Sequence, residues 1–103
     1  MNIKITAARI IIVRELSTGP KTWGQLLKAY YGEARAKLNV NTSFWNKKKE
    51  CIVLDIMRHD PVTKSYHLGE VGQQFLDYCR ANNVNMNVKS EAQLKFEAEH
   101  PLA

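Results

Sequence analysis

The stretch KSYHLGEVGQQFL, residues 64–76, passes from one periodicity to another. Ser65, Tyr66, His67 and Leu68 alternate with the two-residue period of a strand, whereas Val71, Phe75 and Leu76 recur at the spacing of a helix face. Gly69 and Gly72 stand at the junction, where the lack of a side chain permits a tight entry from strand to helix. The spacing predicts a strand over 65–68. It also predicts a helix over 70–81 that buries Val71, Phe75, Leu76 and either Tyr78 or Cys79.

Working backwards, Ile52, Leu54 and Ile56 alternate with Val53, Asp55 and Met57, which predicts a strand with one buried face. Residues 58–64, with Asp60-Pro61 inside them, read as the loop that turns this strand into the next, making a hairpin. Ahead of the hairpin lie three helical segments. In the first, over 6–17, Ile5, Ala8, Ile12 and Leu16 form a stripe widened by Ile11 and Val13, and Gly19-Pro20 ends it. The second starts from Thr22 as N-cap, places Trp23, Leu26, Leu27 and Tyr30 on one face, and stops at Gly32.

A connector with room for a helical turn over 33–38 leads to the third segment, capped by Asn39 or Asn41. Its inner positions are Val40, Phe44, Lys47 and Cys51. Its outward positions are Asn41, Thr42, Ser43, Trp45, Asn46, Lys48 and Lys49, a polar, basic face with one large aromatic. Consecutive helical residues point ~100° apart, so Lys47, Lys48 and Lys49 cannot share a direction; Lys47 is expected to snorkel along the core edge.

The chain has 103 residues, enough for one domain with a modest core, and 45% of them are hydrophobic, which excludes a wholly disordered chain. Residues 1–81 carry thirteen basic and seven acidic side chains and residues 82–103 two and three, so a basic body bears a slightly acidic tail. Five of the basic residues fall within 35–49 with no acid among them. This balance favours a polyanionic partner, nucleic acid before membrane.

Cys51 and Cys79 have apolar neighbours and no zinc-ligand spacing, and read as reduced core residues. No apolar run approaches the ~20 residues of a membrane span and residues 1–4 lack a signal-peptide pattern, so a soluble, cytoplasmic chain with no membrane partner is expected. His59, His67 and His100 are scattered, Asp55, Asp60 and Asp77 form no carboxylate pair, and no phosphate-binding glycine loop follows a strand. No enzyme, cofactor or metal is expected.

The order helix, helix, helix, strand, loop, strand, helix resembles the winged helix-turn-helix domains of bacterial and phage regulators of the MarR, PadR and ArsR type. In those families the second wing strand often ends in Tyr-x-Leu-Thr-x-x-Gly. Here Tyr66, Leu68 and Gly72 match, with Gly69 in place of the Thr. The resemblance spans residues 6–81. It implies a winged helix-turn-helix domain over 1–82, mainly α with a small β-hairpin, followed by an extension over 83–103 with a short helix capped by Ser90 and Gln93.

It also implies a partner and a site: double-stranded DNA, bound sequence-specifically by a small transcriptional regulator. Asn41, Thr42, Ser43 and Asn46 would reach base edges, Lys48 and Lys49 phosphates, and Arg58 and Lys64 of the wing, beside His59, the adjacent groove or backbone. Trp45 joins that face, as a packing or DNA-facing residue. An alternative is a winged-helix adaptor or inhibitor of a protein partner, docking through Trp45, Phe44 and the Met57 side of the hairpin. Regulators of this architecture commonly read two half-sites as homodimers. Val84, Met86, Val88, Leu94 and Phe96 are the apolar tail residues expected to hold such a dimer, unless the tail folds back. Any small-molecule site would lie in a pocket between the tail helix and the core.

Overall fold

The computed structural model describes residues 3–32 and 42–99, with the side chains of Thr42 and Ser43 outside the description. The described chain is mainly helical with one small antiparallel sheet. Its elements are α1 (Ala7–Leu16), α2 (Trp23–Tyr31), α3 (Thr42–Val53), β1 (Met57–Asp60), β2 (Ser65–Leu68), α4 (Glu70–Ala81) and α5 (Glu91–Glu99). No helix among the described residues is long and apolar enough to cross a membrane. The expected turn over 33–38, the caps Asn39 and Asn41, the inner Val40, the outward Asn41 and His100 lie outside the described residues.

Helix α1 is the centre of the core. Thr6 caps it by accepting the Arg9 N–H, and Ala8, Ile10, Ile11, Ile12, Val13 and Leu16 are all buried. The stripe is therefore wider than its spacing suggested. Ile5, assigned to it, precedes the helix and is 38% exposed, while Ile10 is buried. One turn beyond Ile10, Arg14 donates to the carbonyls of Met86 and Val88, so the tail runs along this side of α1. Helix α2 starts in a capping box between Thr22 and Gln25 and stops at Gly32, as expected.

The strand expected from Ile52 is corrected. Residues 52 and 53 are the last turn of α3, and Ile52 and Val53 are exposed rather than paired. The helix closes in a Schellman motif: Ile56 N–H donates to Cys51 O at 2.8 Å, Asp55 N–H to Ile52 O at 3.1 Å, and Asp55 adopts φ 58°. A five-residue alternation of Ile, Leu and Val suits either structure, and the left-handed Asp55 decides in favour of the helix. Strand β1 then begins at Met57 and reaches Asp60, so Arg58 and His59 lie in the strand, opposite His67 and Tyr66, and not in the loop.

The two glycines of the opening stretch are explained by close approach. A Cβ on Gly69 would stand 2.2 Å from Asp55 O, and one on Gly72 1.9 Å from Ile56 O. Bare backbone there lets Gly69 N–H donate to Ile56 O, and Val71 and Gly72 N–H donate to Asp55 O, at 2.9, 3.1 and 3.2 Å. Helix α4 buries Phe75, Leu76, Gly72 and Cys79 while Tyr78 is exposed. Cys51 and Cys79 are free and buried, and burial pushes the Cys51 thiol up to about 12.

The tail folds back on its own domain. Val84, Met86, Val88 and Ala92 pack against the core, and Ser90, 1% exposed, donates its hydroxyl to Tyr30 O and accepts the Gln93 N–H at 3.1 Å. Of the two outcomes expected for Val84, Met86 and Val88, the fold-back on their own domain is the one seen here. They close over α1 and α2, and Leu94, 53% exposed, is the tail's large uncovered side chain.

Candidate nucleic-acid interface

Helix α3 is held from its inner side. Phe44 and Cys51 are buried, the Phe44 N–H donates to the Tyr31 hydroxyl at 3.2 Å, and Glu50 pairs with Arg9 of α1. Pinned there, the helix cannot turn its other face inward. Trp45 is 43% exposed, Asn46 and Lys49 are exposed, and Asn46 makes no side-chain hydrogen bond with the described residues. Asn41 and the side chains of Thr42 and Ser43 lie outside the described residues.

The three lysines diverge as their helical spacing requires. Lys47 is half-buried and lines a cavity of about 220 Å³ between the first turn of α1, Tyr30 and the Ser90–Glu91 start of α5. Lys48, expected to face outward, instead lies along the helix flank with its Nζ 4.6 Å from the Trp23 ring centroid and 5.9 Å from that of Tyr66. Lys49 stands one turn beyond Trp45 with its Nζ 3.8 Å from that ring, a cation–π pair at i,i+4. Neither Lys48 nor Lys49 makes an ion pair with the described residues.

Aromatic contacts join α3 to the hairpin. Phe44 stacks on Tyr30 and on Trp23, with centroids 4.3 and 4.9 Å apart; Trp23 meets Tyr66 at 6.2 Å, and Tyr66 meets His59 at 4.8 Å. The path runs from the core through α2 to both strands, so the hairpin and α3 hold a set relation. Lys21 adds to it: its N–H and C=O bond Tyr66 at 3.0 and 2.7 Å, pairing the approach to α2 with β2. Neither this bridge nor the ring path was read from the sequence, because both depend on which face of Tyr66 meets α2.

On the hairpin the two predicted cations differ. Arg58 makes two hydrogen bonds to the Asp55 carboxylate, at 2.7 and 2.8 Å, and so is tied to the turn below it. Its guanidinium holds the Asp55 carboxyl below the usual carboxylate range, helped by the Glu70 N–H that the same carboxylate accepts at 3.3 Å. Asp55 thus supplies the acceptor that Gly69, the N-cap of α4, lacks. Lys64 is exposed, in the left-handed conformation at φ 57°, and free of ion pairs with the described residues. The loop between the strands is ordered by Asp60, whose carboxylate accepts the Val62 and Thr63 N–H groups and is held below its usual range, chiefly by the first.

The protein-docking alternative loses two of its residues, since Phe44 and Met57 are fully buried. What α3 presents instead is Trp45, Lys49, Ile52 and Val53, spaced i, i+4, i+7 and i+8 along one exposed stripe. Among the described residues no three His, Cys, Asp or Glu side chains converge as metal ligands would. Comparison of the chain with family models, with curated proteins and with solved structures finds no match.

Proposed function

We propose that the chain is a winged helix-turn-helix protein that binds double-stranded DNA sequence-specifically as a small regulator, with α3 in the major groove and the β1–β2 hairpin as its wing. The observation that carries this reading is the outer face of α3: Asn46 and Lys49 are exposed, Asn46 makes no side-chain hydrogen bond with the described residues, and Lys48 and Lys49 meet aromatic rings but no carboxylate among them. Asn offers the paired donor and acceptor that match adenine in the major groove, and ammonium groups at the flanks match phosphates. Thr42 and Ser43 precede them on the same helix, and Asn41 stands one position earlier in the sequence. The Lys21–Tyr66 bridge and the aromatic path support the wing assignment, because they hold Lys64 on the same rigid unit as α3. Arg58, committed to Asp55, serves this interface by bracing the hairpin base. The reading is of a binding protein, without a catalytic role.

Selection from a random duplex pool by gel shift tests it. Enrichment of a motif that changes on Asn46→Ala is the expected outcome, and a pool that stays unselected contradicts it. The exposed stripe Trp45, Lys49, Ile52 and Val53 favours a second reading, an adaptor that docks a protein partner. Such a complex would hold its affinity as salt rises, whereas a phosphate-bound one would not.

A further inference from the structure

Trp45, Lys48 and Lys49 form an arrangement that duplex readout by Asn and Lys leaves unused. The Lys49 Nζ stands 3.8 Å from the Trp45 centroid and the Lys48 Nζ 5.7 Å from it, and Trp45 is 43% exposed. The Lys48 Nζ also stands 4.6 Å from the Trp23 ring, and among the described residues no carboxylate holds either ammonium group. A bound phosphate backbone attracts such cations more strongly than a ring quadrupole does, so polyanion binding draws them off the indole and uncovers it at the interface. An indole face uncovered between two phosphate-bound lysines is a stacking surface for a nucleobase. A paired base in a groove shows its edges, and its face is reached only when it is unpaired or flipped from the stack.

We infer that Trp45 stacks on an unpaired base, and that the preferred ligand of this face is a duplex interrupted by such a base. The inference rests on the DNA-binding reading above and names its substrate class. The indole supplies the stacking plane, Lys48 and Lys49 take the flanking phosphates, and Asn46 reads the neighbouring pair.

The test uses the full chain and two labelled duplexes of one sequence, one fully matched and one with a single extra unpaired adenine, followed by fluorescence anisotropy. Roughly tenfold tighter binding to the interrupted duplex is expected, the size of one base–aromatic stack. Trp45→Leu should remove that preference, so that the two duplexes bind alike, and Trp45→Phe should restore part of it. In a Trp23→Phe protein, Trp45 fluorescence should be quenched more by the interrupted duplex. Equal binding of the two duplexes, or a preference that survives Trp45→Leu, overturns the inference and leaves DNA binding standing. Failure of both duplexes to bind overturns the two together.

Discussion

Helix α3 and the tail each carry apolar side chains that a short helix cannot bury on itself, yet they end in opposite conditions. The tail's Val84, Met86, Val88 and Ala92 are packed on the core, while Trp45, Ile52 and Val53 of α3 remain exposed. The difference lies in what each segment is tied to. The tail follows α1 through Arg14 and is anchored by the buried Ser90 hydroxyl on Tyr30 O, so these four side chains face inward. Helix α3 is committed through Phe44, Cys51 and the Arg9–Glu50 pair, which use its inner face and leave the other outside. An apolar side chain on a short element therefore signals a partner only after that element's own polar anchors are known.

The severest way to break the α3 side is at the joint beneath it. Gly72→Ala drives a Cβ into Ile56 O and should cost about 3 kcal/mol or more, seen as a large fall in urea midpoint. Gly24→Ala, where only Thr22 Oγ1 lies within 4 Å, should raise stability by up to ~1 kcal/mol through helix propensity. On the tail side, Ser90→Ala removes the buried hydroxyl that donates to Tyr30 O and uncaps α5. A loss of ~1–3 kcal/mol is expected, together with faster hydrogen exchange over 84–99 than over α3. Uniform exchange in that variant would show that the tail is not separately anchored.

A finer probe is pH. The Asp55 carboxyl is depressed in the folded state, so its contribution is fully present above its unfolded pKa and is lost as pH falls through the folded value. Asp55→Asn should flatten the acid side of a melting-temperature profile below about pH 4 and leave the neutral side parallel to the parent. The smallest effect is expected at Trp45→Ala, within ~0.5 kcal/mol, because the side chain it removes is largely on the surface. A loss as large as that of Ser90→Ala would mean that Trp45 is core, contrary to its assignment to the interface.

How much of this was legible in the sequence follows the same division. Strand β2, helix α4, the caps Thr22 and Ser90, and the inner residues Phe44 and Cys51 are set by local spacing and side-chain chemistry, and they stand as read. The end of α3 was misplaced by two residues and the start of β1 by five, since only the φ of Asp55 distinguishes helix from strand there. Lys48 and Arg58 were read as outward-facing DNA contacts because their partners within the chain, Trp23 and Asp55, are brought to them by packing and by the turn. An Asp three residues before an Arg at a helix end was the available hint for the second.

The central claim is that the outer face of α3 and the hairpin loop bind phosphates. Measuring duplex affinity against salt concentration, for the parent and for Lys49→Ala and Lys64→Ala, tests it most directly. The account predicts a linear fall of log K with log salt for the parent, with the slope shallower by about 0.9 for each lysine removed. A parent whose affinity ignores salt, or slopes unchanged in both variants, would contradict it.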